Sequence, residues 1–170
     1  AKSVIWANGF EMKEELKNNL IIPTSGQVTY LKENLYTKEL KLNFSFGNFF
    51  SQSNRGVHQT GSTFSRREFV LSKENDKINF EKLPLFLKNK FRLSFDNILA
   101  SRLSIRASTQ NRLPFFGNLL DFKEFFIGGM GSWGFIYAPF VAELLVKKIL
   151  KEPILLEKNT LAHLDIENRI

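Results

Sequence analysis

Regular alternation of apolar and polar residues in the middle of the chain predicts a β-sheet with one solvated face. The clearest alternation covers residues 40–46, and residues 98–109 alternate in the same way. The second segment has polar side chains on one side and aliphatic ones on the other: Arg102, Ser104 and Arg106 against Leu103, Ile105 and Ala107. Shorter strands are predicted at residues 4–7, 27–31, 49–52, 56–64 and 125–128, with a loop at 23–26. Strands with one polar face are typical of antiparallel sheets.

Apolar residues at helical spacing predict two longer helical segments. Residues 72–91 form the first, with Ser72 as its N-terminal cap and Pro84 as the point where it splits. Residues 136–150 form the second, which ends before Pro153. Its apolar stripe consists of Ala138, Val141, Ala142, Leu145, Val146 and Ile149. Residues 11–19 are predicted as one or two exposed helical turns, and a last helical turn is expected near Leu161.

The two ends of the chain differ from the middle. Residues 4–9 are a short strand followed by a turn, and residues 125–150 are a strand, a glycine-rich turn and a helix. That order is typical of a layer that binds nucleotides. The predicted fold class is therefore α+β: a mostly antiparallel sheet with helices on one face, together with pieces of a second, Rossmann-like layer.

Four glycines lie within seven residues before the second helix, at positions 128, 129, 131 and 134. Glycine lets the backbone approach a ligand without a Cβ, and the start of a helix presents unpaired N–H groups and a positive dipole end. We expect Gly131 and Gly134 to adopt angles or contacts that a Cβ would obstruct. A tight turn that only reverses the chain has the same spacing, so the pattern alone leaves both interpretations open.

Composition narrows the class of protein. The 170 residues carry a net charge of +7 and include no cysteine. The absence of cysteine excludes a disulfide framework and thiolate metal sites and favours a reducing cytoplasm. No apolar run approaches the roughly 20 residues that cross a bilayer. The two histidines, His58 and His163, have no carboxylate cluster beside them, so no metal site is expected. Because the chain opens within a predicted strand, we expect it to be a fragment of a longer protein.

Several segments taken together resemble one flavoprotein family. They are the strand ending Ala7-Asn8-Gly9, the segment Ser25-Gly26-Gln27-Val28, residues 58–64, residues 106–117 with arginine first and Pro-x-x-Gly last, residues 129–143 with Ala138-Pro139 and Ala142-Glu143, and residues 154–169. They resemble the C-terminal half of flavoproteins of the glycine oxidase and D-amino acid oxidase superfamily. Within it, the chain resembles the FAD-dependent oxidoreductase domain of the bifunctional tRNA 5-methylaminomethyl-2-thiouridine biosynthesis proteins, MnmC.

The resemblance implies that the chain contains parts of two domains with different roles. Residues 1–19 and 118–170 would be C-terminal pieces of an FAD-binding domain, and residues 20–117 a substrate-binding sheet domain. The N-terminal Gly-x-Gly-x-x-Gly half would lie outside this chain, so we expect the isolated chain to hold FAD poorly and to be inactive. A tRNA methyltransferase domain that uses S-adenosylmethionine would lie outside it as well. Two residues depart from the family: Trp133 stands where arginine is usual, and Asn111 where aspartate is usual.

The resemblance also implies a reaction and a set of site residues. The family oxidises the C–N bond of the carboxymethylaminomethyl group on the tRNA wobble uridine, with FAD as hydride acceptor. Residues expected to contact FAD are Ala7, Gly9, Gly129, Met130, Gly131, Ser132, Trp133, Gly134 and Phe135. Arg106 would bind the substrate carboxylate, the alternative being a solvated arginine on a sheet face. No catalytic acid or base and no oligomeric state is predicted, and Ser62 and Ser132 have no base partner at catalytic spacing.

Two other functions remain open from the sequence. The first is a small-molecule amine or amino acid oxidase of the same superfamily. The second is a non-enzymatic RNA-binding module that relies on the positive charge alone. If the protein binds RNA, Arg66 and Arg67 are suitable for contacts with its phosphate groups.

Overall fold

The computed structural model describes residues 3–16, 19–119 and 123–169 and divides the chain into two compact units. Unit 1 consists of Ala1–Thr24 and Ile105–Ile170, and unit 2 of Ser25–Ser104. The predicted boundaries, after residues 19 and 117, differ from these by 5 and 13 residues. The roles predicted for the two parts, FAD binding and substrate binding, remain predictions.

Strands and helices follow one another in a mixed order. The strands are β1 Val4–Trp6, β2 Ile22–Lys32, β3 Phe44–Ser45, β4 Phe49–Phe50, β5 Val57–Gly61, β6 Ile98–Ser108, β7 Phe115–Asn118 and β8 Glu124–Gly128. The α-helices are α1 Met12–Leu16, α2 Lys73–Glu81, α3 Leu85–Lys90, α4 Gly134–Leu150 and α5 Lys158–Leu164, and short 3-10 helices cover Gly9–Glu11, Phe95–Asn97 and Ile166–Asn168. This is the α+β class predicted from the sequence.

A three-stranded sheet in the order β1-β8-β7 organises unit 1. β1 is parallel to β8, with Trp6 opposite Phe126, and β7 is antiparallel to it, with Phe115 opposite Gly128. The two ends of the chain therefore share one layer. β7 was not predicted, because three of its four residues are buried and it lacks a polar face to produce alternation.

Unit 1 has apolar clusters on both faces of its sheet. Because neighbouring strand residues point to opposite faces, Phe115 and Phe116 belong to different clusters. One cluster contains Met12, Leu16, Ile21, Phe115, Phe126 and Ile166. The other contains Phe116, Phe125, Val141, Leu144, Leu145 and Leu164. The sheet is thus held between α1 on one side and α4 with α5 on the other.

Two helix predictions in unit 1 need correction. The segment 11–19 was expected to be exposed, but Met12 and Leu16 are buried one turn apart in the core, and residues 17 and 18 lie outside the described residues. The stripe predicted for α4 is rotated. Val141 and Leu145 are buried as expected, while Leu144 replaces the exposed Ala142 and Val146.

Unit 2 contains most of a five-stranded sheet in the order β3-β4-β5-β2-β6. The pairs β3–β4, β4–β5 and β2–β5 are antiparallel. Its core joins strand residues to α3 and the chain on either side of it: Leu31, Phe50, Leu83, Leu87, Phe91 and Leu93, with Phe80 of α2 packed against them. As predicted, Ser72 caps α2 by accepting a hydrogen bond from the Asn75 amide, 3.1 Å away, and Pro84 separates α2 from α3.

Two strand predictions in unit 2 are wrong. In the segment 40–46 only Phe44–Ser45 is a strand, although Leu40, Phe44 and Phe46 pack on the core. Residues 23–26, predicted as a loop, lie inside β2, where the Ser25 amide donates to the Ser65 carbonyl at 2.8 Å.

An ion pair fastens the C-terminal 3-10 helix of unit 1 to α4. Lys148 Nζ lies 2.6 Å from Asp165 Oδ2 and 3.1 Å from Glu167 Oε1. The side chains of Lys148 and Asp165 are only 20% and 13% exposed, and removing one partner of a buried pair leaves the other charge uncompensated. We expect Lys148→Met to lower the free energy of unfolding by about 2–3 kcal/mol in urea denaturation.

Lys147→Met is the matched control for this ion pair. Lys147 pairs with Glu143, whose carboxylate is 64% exposed, at 2.7 Å. An exposed pair of this kind contributes about 0.5 kcal/mol or less. Equal destabilisation by the two substitutions would show that the Lys148 ion pair contributes no more to the free energy of unfolding than the exposed Lys147 pair.

Candidate functional site

The predicted site residues gather at one edge of the unit 1 sheet. Because β1 and β8 are parallel, their carboxyl ends meet at the same edge, which is where open α/β sheets bind ligands. Ala7 and Gly9 follow β1, and Gly9 has φ = +72°. Gly129 and the rest of the glycine turn follow β8. The structure thus brings together the two stretches of predicted cofactor contacts that are far apart in sequence.

The glycine turn requires glycine at two positions. Gly129 has φ = +71°, and a Cβ there would lie 2.5 Å from Thr109 Cγ2 and 2.9 Å from the Phe115 ring. Gly131 has φ = +54°, as expected for a position that needs glycine. The expectation for Gly134 is wrong, since a Cβ there would meet Met130 at an ordinary 3.7 Å. Gly134 simply begins α4.

Helix α4 presents its N-terminus at this edge. The Trp133 carbonyl accepts hydrogen bonds from the amides of Ile136 and Tyr137, and the amides of Gly134 and Phe135 come first, where an α-helix has no carbonyl of its own to bond them. In the first turn, all of which the structure describes, there is no acidic side chain. The positive end of the helix dipole is therefore available to an anionic or carbonyl group.

Aromatic side chains surround the start of α4. Trp133 is 59% exposed and Phe135 is fully exposed. A flat, partly apolar ring system with an electron-rich edge fits this combination of backbone amides and exposed aromatic surface. The isoalloxazine ring of FAD has these properties, and its pyrimidine edge becomes negatively charged on reduction. The residues present therefore fit the flavin end of FAD, and the fit does not depend on an arginine at position 133.

Arg106 lies in the strand that the glycine turn contacts. The Gly131 amide donates to the carbonyl of Ala107, the next residue, at 2.9 Å. Arg106 is half-buried, and burial lowers the pKa of its guanidinium below the usual range. Arginine titrates so far above neutrality that the group stays charged. Arg102 is exposed, so the two arginines differ in environment although both were predicted on the same side of the strand.

Two residues that support the turn were not predicted. Ser108 and Thr109 are buried directly behind it, with Ser108 Oγ 3.5 Å from where a Cβ of Gly131 would lie. Thr109 Oγ1 donates to the Leu113 carbonyl at 2.7 Å, which fixes the side chain that excludes a Cβ at Gly129. Small hydroxyl residues at the end of a strand are common, so the sequence carried no signal for this role.

Asn111 links this region to the end of the chain. Its Oδ1 accepts hydrogen bonds from the Leu113 amide at 3.1 Å and from Arg169 Nη2 at 2.7 Å. Arg169 also donates to the Pro114 carbonyl at 2.8 Å, and burial lowers the pKa of its guanidinium. A neutral amide therefore accepts from a charged donor at a position suited to a carboxylate.

Asn111→Asp should stabilise unit 1. The substitution turns the hydrogen bond from the charged Arg169 to a neutral amide into an ion pair with a carboxylate, in which both partners are charged. Because Asn111 is exposed, we expect a gain of only about 0.5–1 kcal/mol in urea denaturation at pH 7. A carboxylate beside arginine has a lowered pKa, so this gain is lost as the pH falls below about 4. No gain at pH 7, or a gain that persists at pH 2, would contradict the assignment.

The two histidines are not part of this site. His58 is fully buried in β5, stacks on Phe50, and has Nδ1 2.9 Å from the Ser51 carbonyl, while His163 is exposed. Among the described residues there is no group of three or more side chains that could hold a metal ion. Nor does any helix in the described part of the chain have the length and apolar character to cross a membrane.

The fold matches solved oxidases over nearly the whole chain. The fructosamine oxidase of Aspergillus fumigatus has a TM-score of 0.75 at 16% identity, over 99% of this chain and 45% of its own. The iminodiacetate oxidase of Chelativorans sp. BNC1 gives 0.72 at 15%, over 92% and 44%. Glycine oxidase from Geobacillus kaustophilus gives 0.70 at 15%, over 95% and 45%. The chain therefore has the fold of these oxidases.

The sequence relatives are more specific. The tRNA 5-methylaminomethyl-2-thiouridine biosynthesis bifunctional protein MnmC of Leptospira interrogans serovar Lai is 28% identical over 169 residues, covering 82% of this chain and 26% of its own length. The MnmC protein of Aliivibrio fischeri is 28% identical over 198 residues, covering 94% and 29%. No family model matches the chain. The chain is thus a relative of the MnmC proteins and spans about a quarter of their length, which confirms the resemblance stated from the sequence.

Proposed function

We propose that this chain is part of an FAD-dependent oxidoreductase that removes the carboxymethyl group from carboxymethylaminomethyl uridine at the tRNA wobble position. The observation that carries the proposal is the hydrogen bond from Gly131 to Ala107, which joins the glycine turn to the strand of Arg106. A turn that would bind flavin, bonded to the residue next to an arginine that would bind a carboxylate, suits the oxidation of an amine that carries a carboxylate. The names of the sequence relatives supply tRNA modification as the context.

The reaction takes two electrons and two protons from the substrate, as one hydride and one proton. The bond between nitrogen and the carboxymethyl carbon loses a hydride from carbon and a proton from nitrogen, and becomes a C=N bond. FAD, when bound, supplies the acceptor for the hydride. Water then hydrolyses the C=N bond, leaving aminomethyl uridine on the tRNA and releasing glyoxylate. The protein has to hold the substrate carbon in position and neutralise its carboxylate.

The proposal assigns each role to a residue whose surroundings are described above. Ala7, Gly9 and the residues 129–135 would hold FAD, chiefly through backbone groups at the sheet edge and the start of α4. Arg106 would bind the substrate carboxylate through two parallel hydrogen bonds. Ser108 and Thr109 would keep the turn in place from behind. No side chain is assigned as a catalytic acid or base, and methyl transfer is not proposed for this chain.

A small-molecule amine oxidase is the second candidate. It is favoured by solved neighbours named for glycine, iminodiacetate and fructosamine oxidation. Glycine and iminodiacetate carry the same aminocarboxylate group as the modified uridine, so Arg106 would serve either substrate equally. A binding module without redox chemistry is the third candidate, and bound flavin would exclude it.

A comparison of flavin reduction by the two kinds of substrate separates the first two candidates. Protein produced from the entire reading frame is loaded with FAD, and bleaching of the flavin absorbance is followed without oxygen. We expect tRNA with carboxymethylaminomethyl uridine to reduce the flavin at micromolar concentration, and glycine or iminodiacetate to do so only at millimolar concentration, because RNA adds binding contacts. Faster reduction by the free amino acids at equal concentration would favour the small-molecule oxidase.

A further inference from the structure

Positive charge is concentrated in one of the two units. Unit 2 has 13 Lys and Arg against 7 Asp and Glu, a net charge of +6, whereas unit 1 has 11 against 10, a net of +1. The two units have similar lengths, so nearly all of the net +7 lies in unit 2. A basic surface attracts nucleic acid through its phosphates. The FAD-site residues proposed above lie in unit 1, so a basic unit 2 is suited to a separate task.

A short stretch of unit 2, residues 64–71, presents both cations and apolar side chains to solvent. Arg66 and Arg67 are exposed. The exposed apolar side chains around them are Phe64 at 58%, Phe69 at 39%, Val70 at 67% and Leu71 at 56%. We call this stretch the 64–71 segment. Exposed aromatic rings beside arginines are the combination that binds single-stranded RNA, in which rings stack on bases and arginines pair with phosphates.

Hydrogen bonds hold the 64–71 segment in place although it is neither helix nor strand. Ser65 exchanges backbone hydrogen bonds with Ser25 at 2.8 and 3.1 Å, and the Ser25 hydroxyl donates to the Glu68 carbonyl. Just past the other end, the Ser72 amide donates to Gln27 Oε1 at 3.0 Å, and Gln27 Nε2 donates to the Ser72 carbonyl at 2.8 Å. A segment anchored on both sides loses little conformational entropy when it binds.

A cleft of about 480 Å³ opens beside the segment. Leu71 belongs to both, and the other exposed apolar side chains of the cleft are Phe95 and Leu99. Its floor includes Gln27, Asp76 and Ser101, which bond to one another: Asp76 Oδ1 accepts from Gln27 Nε2 at 2.7 Å and from the Ser101 hydroxyl. The floor is therefore internally satisfied, and the cleft has the apolar rim and fixed shape that suit a flat ring.

We propose that the 64–71 segment and the adjoining cleft bind a single-stranded stretch of RNA. Arg66 and Arg67 pair with phosphates, Phe64 and Phe69 stack on bases, and the cleft receives one unstacked base against Phe95. The proposal rests on the proposed function in taking RNA as the partner, and the charge of unit 2 supports it independently. An apolar protein partner would cover the rings but would leave two adjacent arginines and the excess charge without a counterpart.

RNA binding by the 170-residue chain tests the proposal without flavin or a modified base. The probe is a fluorescent, unmodified 17-nucleotide stem-loop with a seven-base loop, and fluorescence anisotropy is measured at several salt concentrations. We expect Arg66→Ala/Arg67→Ala to weaken binding about tenfold or more and to reduce the salt slope by about 1.4, since each phosphate contact on a single strand adds about 0.7. Phe64→Ala/Phe69→Ala should weaken binding about tenfold and leave the slope unchanged.

Lys38→Ala/Lys41→Ala is the matched control, because it removes the same charge from exposed positions of unit 2 outside the segment and cleft. We expect it to weaken binding less than threefold. All substituted side chains are exposed, and circular dichroism checks that each variant folds. Equal losses in the control and the arginine variant, or unchanged RNA affinity in both segment variants, would overturn the proposal; the latter result would mark the segment as a protein contact. Failure of the oxidation alone would leave it standing.

Discussion

Gly129→Ala is expected to destabilise unit 1 by about 3–4 kcal/mol. Gly129 has φ = +71°, a left-handed conformation that costs a residue with a Cβ about 1–2 kcal/mol. The new methyl group would also lie 2.5 Å from Thr109 Cγ2 and 2.9 Å from the Phe115 ring. Neither neighbour moves easily, because both are fully buried and the Thr109 hydroxyl is bonded to Leu113. Overpacking of this kind adds about 1–3 kcal/mol.

Gly134→Ala, five residues further along at the first residue of α4, is the matched control. Its Cβ would meet only Met130, at 3.7 Å, and the residue begins α4. Alanine there reduces the entropy of the unfolded chain, so we expect stability within about 0.5 kcal/mol of the parent or slightly above it. Urea denaturation followed by circular dichroism measures both variants. If Gly129→Ala and Gly134→Ala unfold together, the turn is not held as the structure describes.

Arg106→Ala is expected to weaken substrate carboxylate binding about ten- to a hundredfold in the FAD-loaded protein. A charge-assisted pair in a partly desolvated place contributes roughly 1.5–3 kcal/mol. Half-burial of Arg106 supplies that desolvation, and the contact between Ala107 and Gly131 keeps its strand beside the proposed flavin turn. The measurement is the apparent dissociation constant from single-turnover flavin reduction by tRNA with carboxymethylaminomethyl uridine.

Two further variants separate carboxylate recognition from general charge. Arg106→Lys keeps the charge but loses the planar fork, so its affinity should fall between the parent and Arg106→Ala. Arg102→Ala removes an exposed arginine from the same strand and should change affinity less than threefold. Parent-like reduction by Arg106→Ala would mean that Arg106 has a structural role and that the carboxylate is bound elsewhere.

The sequence predicted those features that depend on local chemistry. A serine just before a helix, such as Ser72, can cap it through its own hydroxyl. A proline such as Pro84 interrupts a helix because it lacks an amide hydrogen. The glycine turn was located for a similar reason, since glycine readily adopts the backbone angles that a tight turn needs. The α+β class followed from these local signals together with the alternation at 98–109, which the structure confirms as β6.

Features that depend on distant partners could not be predicted in this way. The alternation at 40–46 places Leu40, Phe44 and Phe46 on the core, but most of the segment does not pair with a neighbouring strand. β7 is buried on both sides and so lacks a pattern. The role of Thr109 arises because the fold sets its methyl group against Gly129, 20 residues away in sequence. At Gly134, glycine content suggested a steric need that the geometry does not show.

Nucleoside mass analysis after a single turnover tests the central claim most directly. Protein from the entire reading frame, loaded with FAD, is mixed without oxygen with tRNA that carries carboxymethylaminomethyl uridine, and the tRNA is then digested. We expect flavin reduction, glyoxylate release and conversion of the wobble nucleoside to aminomethyl uridine to occur in equal amounts, and Arg106→Ala to slow all three together. The contradicting result is an unchanged wobble nucleoside after incubation with FAD-loaded protein whose flavin glycine or iminodiacetate does reduce. That result would show that the protein is active but does not oxidise the modified tRNA.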